Sequence, residues 1–181
     1  MEEDHYSTNE KELMDYYGYS GNIGRFRLRL RFMRTWILHS IAYSTPLPRL
    51  AIWAQRSRGV KIGNGCHISP YVQIDLLYPQ MITIEDNVTI GSNVMIFAHV
   101  NATTNLYLKS HGYARIIKPI HIKSGAIIGP GSIVTAGVTI GENSIIGVGS
   151  VVSQDVPDNC VAVGNPVRVV KKVNAELGKD K

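Results

Sequence analysis

Cysteine is nearly absent: Cys66 and Cys160 are the only two in 181 residues. Their spacing suits neither a disulfide framework nor a zinc site, so a reducing cytoplasm is the expected compartment. No run reaches the roughly 18 apolar residues of a membrane span. The opening MEEDHYSTNEKELMDYY is too acidic and polar for a Sec-type signal peptide. Charge is modest, with 19 Lys and Arg against 14 Asp and Glu and a net +5. The later chain has almost no Arg and few aromatics of the exposed kind, so the basic, stacking face of a nucleic-acid binder is missing. The length suits one domain plus an appendage.

What the chain has instead is a period of six. Ile122, Ile128, Val134, Ile140, Ile146 and Val152 head consecutive hexads, whose fifth places hold Ala126, Ser132, Val138, Ser144, Ser150 and Val156. The same register appears in Ile84, Ile90 and Ile96 with Val88, Val94 and Val100, and in Ile62, Ile68 and Ile74 with Cys66 and Val72. Six extended residues span roughly 20 Å, so three sides close a triangular coil of about 18 residues, stacked about 4.8 Å above the next. A β-sandwich would alternate with period two and vary its spacing. The fold expected is therefore an all-β solenoid, a parallel β-helix. Gly125, Gly129, Gly141, Gly147 and Asn143 fall where a corner needs positive φ or leaves no room for a side chain.

Three segments follow: a largely helical extension over residues 1–59, the solenoid over 60–160 with an inserted loop at about 102–118, and a short tail over 161–181. In the first, Phe26, Leu30, Met33, Ile37 and Ile41 form one stripe of a helix running to about Ala42, with Pro46 and Pro48 stopping it. Such a segment can cap the open first coil of a solenoid. Its arginines also allow a second reading, contact of residues 25–42 with a membrane surface, which would make the protein peripheral at the inner face of the membrane.

Chemistry is expected where the period breaks. The register fails between Asn101 and Ile122, and a loop thrown out of a solenoid usually serves a site. His99 stands at its entrance, at the fourth place of its hexad, near a corner. His111 lies inside the loop and is the second candidate. Tyr107, Lys109, Tyr113 and Arg115 in the same loop could stack on a sugar or pair with an acidic group. Asp75 follows Ile74 where the first coil leaves the period, and a carboxylate there could orient an imidazole.

The hexads, the run IGENSIIGVGSVVSQDVPDN and the tail GNPVRVVKK resemble the hexapeptide-repeat acyltransferases of the maltose and galactoside O-acetyltransferase type, over about residues 60–172. The resemblance implies a left-handed β-helix, a homotrimer with sites between subunits, and acetyl transfer from acetyl-CoA by a His general base, with no metal. Counted without gaps from Ile84, the family's catalytic His falls on Asn101, two places beyond His99, so Asn101 is also a site candidate. Asp75 takes the place of a polar supporting residue, often Asn. The resemblance points acetyl-CoA to a groove along Gly129, Pro130, Ala136, Val148 and Ser153, with Arg168 and Lys171 near the phosphates. Gln154 stands where Lys is common. The acceptor implied is a hydroxyl of a sugar or surface-glycan precursor, with an amino sugar or small amine as the alternative. Two further readings are a γ-type carbonic anhydrase, for which the chain offers His67, His99, His111 and His121, and a non-enzymatic trimeric scaffold or glycan-binding module.

Overall fold

The six-residue period becomes three flat walls. The computed structural model describes residues 5–101 and 105–173; the outer ends of the expected cap and tail and part of the loop lie outside the described residues. Each coil contributes one short strand per wall, paired in parallel with the coils above and below. The first wall aligns Ile62, Ile84, Ile122 and Ile140. The second aligns Ile68, Ile90, Ile128, Ile146 and Ala162, and the third Ile74, Ile96, Val134 and Val152. The helix so formed is left-handed.

Both inward places of the hexad are filled as the period requires. From Ile122 onward every head and every fifth-place residue to Val156 is buried. The buried serines are satisfied: Ser132 and Ser150 donate to the Gly147 carbonyl and Ser144 to that of Pro157. Ser132 and Ser144 so tie a corner to the next coil, and Ser150 does it by accepting from the amide of Gly164 (3.1 Å), while the aliphatic head fills the column, at roughly 1.5–3 kcal/mol per buried Ile or Val.

Three helices precede the solenoid: α1 (His5–Tyr16), α2 (Gly21–Ser44) and α3 (Pro48–Arg58). Pro48 does not merely stop α2; it opens α3 at a position whose N–H would be unpaired anyway, and Gly59 ends α3 in the left-handed conformation (φ 110°). α3 closes the first coil, where Arg56 donates to the carbonyls of Ile62 (3.0 Å) and Gly63 (2.6 Å). Most of the expected apolar stripe of α2 faces away from the body: Phe26, Leu30, Met33 and Ile37 are exposed, Ile41 alone packs, against Ala42, Ala51 and Ala54, and the packed face carries Leu28, Thr35, His39 and Ala42. That face must approach α3 and the coil closely, so small and polar groups occupy it.

The last described element is a strand. Arg168–Lys172 folds back antiparallel on Cys160–Val163, which extends the second wall.

The break in the period begins earlier than Asn101. Val100, expected to point inward, is 58 % exposed. After Ile96 the chain leaves the coil, and His99–Val100 pairs antiparallel with Ile116–Ile117. The ladder turns alternate side chains outward, so the inward column resumes only at Ile120.

Candidate active site

The corner after the third wall stacks Asp75, Phe97, Thr135 and Ser153, each amide bonded to the carbonyl ending the strand of the next coil where one follows. Two coils break open at this corner: the first at residues 75–81, the second at residues 97–119. Asp75 and His99, 24 residues apart, meet there with Nδ1 2.5 Å from Oδ2.

Asp75 is fully buried. Oδ1 accepts from the amides of Leu77 (2.8 Å) and Tyr78 (3.0 Å), and Oδ2 from the amide of Ala98 (2.9 Å). Burial by itself disfavours the charge, but the hydrogen bond and charge of His99, with the Tyr78 and Leu77 amides, outweigh it and hold the carboxyl below its ordinary value. An acceptor-only carboxylate requires the proton on Nδ1 of His99. The lone pair of neutral His99 is then on Nε2, which makes no hydrogen bond among the described residues, and the side chain is 20 % exposed.

Surrounding groups fix this pair. The Tyr78 ring meets the His99 ring edge-on, centroids 5.1 Å apart. The Tyr78 hydroxyl accepts from Arg115 (2.6 Å), and Arg115 and Lys109 both bind Glu12 of α1 (2.9 and 2.6 Å). Behind Asp75, Arg58 of α3 donates to the carbonyls of Asp75 (2.6 Å) and Ile74 (3.2 Å), to Gln55 (2.6 Å), and to Nδ1 of His39 (3.0 Å). Burial brings Arg58 down to about 10, against the pull of Asp75. Tyr78, Arg58 and Glu12 carried no periodic mark; only the fold brings them to the site.

The other candidates divide. Asn101 donates to Asn9 of α1 (3.2 Å) rather than meeting Asp75. His111 caps the short helix Leu106–Ser110, stacked on Tyr107 at 4.0 Å, and it is exposed. Lys109 and Arg115 are engaged with Glu12, whereas Tyr107 and Tyr113 are exposed. Ala136 and Ser153 flank the corner of Asp75. Gly129, Pro130 and Val148 lie at the opposite edge of the third wall, where Gly129 has no room for a Cβ: it would sit 2.7 Å from the amide nitrogen of Val148. Arg168 pairs in register with Val163, and the side chain of Val163 packs against Gly147 at that same edge; Lys171 is exposed further along the strand. His121 is bound to Glu85 (2.6 Å) and His67 faces Ser69. Among the described residues no three His, Cys, Asp or Glu converge as a metal site.

Residues 119–154 match the model of the bacterial transferase hexapeptide (six repeats), and residues 81–98 that of the hexapeptide repeat of succinyl-transferase. YvoF of Bacillus subtilis (strain 168), provisionally named an acetyltransferase, is 30% identical over 142 residues, 78% of this chain and 77% of that protein. The galactoside O-acetyltransferase of Escherichia coli (strain K12) is 39% identical over 99 residues, 51% of this chain and 49% of that one, so the match spans about half its length. Among solved structures, a galactoside acetyltransferase in complex with coenzyme A superposes with a TM-score of 0.60 at 27% identity, covering 81% of this chain and 82% of that one. A maltose O-acetyltransferase from Clostridium difficile 630 gives 0.61 at 28%, covering 81% and 88%.

Proposed function

The chain belongs to the hexapeptide-repeat acetyltransferases of the maltose and galactoside type, and from that premise we propose that it moves an acetyl group from acetyl-CoA to a carbohydrate hydroxyl with His99 as general base. The observation that carries this reading is the Asp75–His99 pair at the opened corner. Asp75 fixes the tautomer and leaves Nε2 to accept a proton. As the hydroxyl attacks the thioester carbonyl, its proton passes to Nε2. Collapse of the tetrahedral species breaks the C–S bond, and the proton leaves with the CoA thiolate. Asp75 balances the imidazolium formed between those steps.

The third wall offers the extended pantetheine a flat face, with the small residues Gly129, Ala136 and Ser153 at its two corners, and the exposed Arg168 and Lys171 supply cations for phosphate. The sugar acceptor rests on the relatives named for galactoside and maltose and on Tyr107 and Tyr113, whose exposed rings can stack on a pyranose. A homotrimer places this wall opposite the His99 of a neighbour; no helix among the described residues is long and apolar enough to cross a membrane.

Thiol release from acetyl-CoA, measured against a panel of sugars and amines, tests the reading. His99→Ala should abolish turnover with the fold retained, and Asp75→Asn should lower kcat by about 10²- to 10⁴-fold with the KM for acetyl-CoA little changed. An active His99→Ala protein would overturn the assignment of the base.

A further inference from the structure

The outward face of α2 is at odds with a freely soluble surface. Ile23, Phe26, Leu30, Met33 and Ile37 recur in three- and four-residue steps and are all exposed, Phe26 by 62 %. This stripe lies opposite the packed face of Leu28, Thr35 and His39, so the solenoid cannot bury it. α3 adds exposed Leu50 and Trp53, and the linker adds Leu47. Contiguous exposed apolar surface of this kind marks an interaction site.

Its charge identifies the partner. From residue 16 to residue 74 there is no Asp or Glu, yet the segment holds nine cations, eight Arg and Lys61. The chain carries 19 basic and 14 acidic side chains, so the remainder has ten basic against 14 acidic, and the whole positive excess resides in this segment. Arg27, Arg29 and Arg49 are exposed, and none has a partner among the described residues. On the helix, Arg27 and Arg34 border one side of the stripe and Arg25 and Arg29 the other. Of the three acids on α1, Glu12 is committed to Lys109 and Arg115, Glu10 reaches Arg25 at 3.9 Å, and Asp15 makes no ion pair within 4 Å among the described residues.

We propose that the α2–α3 face docks in the plane of an anionic lipid surface. Its apolar stripe enters the acyl boundary and its guanidinium groups bind lipid phosphates, which holds the protein on the membrane without crossing it. Guanidinium suits the task because it stays charged and pairs with phosphate through two donors. A second copy of the chain is a poorer occupant at this face, since it would need carboxylates that the segment itself lacks.

The protein carries its own probe. Its only two tryptophans, Trp36 and Trp53, are both on these helices, 62 % and 54 % exposed. The full chain is mixed with vesicles of phosphatidylcholine containing about a quarter phosphatidylglycerol, or of phosphatidylcholine alone. Cosedimentation, a blue shift of Trp emission and loss of acrylamide quenching are expected with the first vesicles, weaker at high salt and much reduced with the second. Arg27→Glu with Arg29→Glu should weaken partitioning by about thirtyfold or more while CoA affinity is retained. Arg49→Glu, on the other helix, gives an independent reading if that pair disturbs folding. Binding that is absent, or unchanged in both variants, overturns the proposal. So does protection of both tryptophans without lipid in a self-associated species, which would assign the face to another copy.

Discussion

A buried carboxylate needs donors, and Asp75 has four: three backbone amides and Nδ1 of His99. His99 is distinguishable in the sequence because the fourth place of most other hexads takes a Gly or Asn in left-handed backbone, as at Asn87, Asn93, Gly125, Asn143 and Gly149. An imidazole in extended backbone at that place departs from the corner rule, and the ladder with residues 116–117 is the reason. Asp75 was legible in the same way, as the first residue past a broken coil. Arg58 was not, because nothing local distinguishes an arginine that turns inward to clasp two carbonyls from one that is solvated. The partner it carries, His39, yields a pH prediction. Burial first, and the Arg58 charge second, push His39 from 6.5 down to about 4. Above pH 6.5 both folded and unfolded chains hold it neutral and the stability is complete. Between 6.5 and 4 the unfolded chain takes up a proton that the folded one refuses, so stability falls as pH falls, by on the order of 3 kcal/mol in total. Urea melts of the wild type should therefore decline between pH 6.5 and 5, while those of His39→Gln should be flat there. The acid limb below the ordinary carboxylate range, where Asp75, Glu12 and Glu85 lose their lowered values, should persist in both proteins.

Elements in this solenoid are short strands whose identity depends on stacking, and glycine serves two separate purposes in them. At Gly149 the backbone is left-handed (φ 68°) with open space around a would-be Cβ. At Gly141 the φ is ordinary, but a Cβ would stand 2.3 Å from the amide nitrogen of Asp158 in the next coil. Alanine at 149 should cost about 1 kcal/mol, with Asn recovering part of it, as at the neighbouring corners. Alanine at 141 should cost more, about 1–3 kcal/mol or above, because two backbones must separate. Thermal melts of the two variants decide the ranking; equal losses would mean that the coils can slide apart. The period conveyed the strands because each head and fifth place is set by one repeated constraint. It conveyed the helices less well. The stripe at Phe26, Leu30, Met33 and Ile37 has the pattern of a buried face, but packing selected the side with Leu28 and His39. Amphipathicity specifies that two faces differ, not which neighbour each meets. Pro48 had two meanings as well, helix stop and helix start, and only the Gly59 cap eleven residues on separates them.

At the scale of the whole molecule, one chain presents the Asp75–His99 pair, proposed as catalytic, at one corner and most of the proposed CoA wall at the other edge of the same face. Nε2 of His99 makes no hydrogen bond among the described residues, and a neighbouring subunit could supply the rest of the site. A threefold arrangement would have a mass of about 60 kDa, three times the 20.0 kDa chain. It would create three equivalent clefts, each with His99 from one subunit and the cationic strand Arg168–Lys172 from the next. Subunit mixing tests this division. His99→Ala removes the base, and Arg168→Ala with Lys171→Ala weakens CoA capture, so each homotrimer is poorly active at low acetyl-CoA. Coexpressed in equal amounts, the two variants assort at random. A cleft is then intact when the donor of the base is the tail variant and the donor of the wall is the His99 variant, which occurs in about a quarter of the clefts. Recovery of about a quarter of wild-type turnover at low acetyl-CoA is the expected result. Activity no greater than the mean of the two separate homotrimers would mean that base and wall belong to one subunit, and the cleft would then have to be drawn within a single chain.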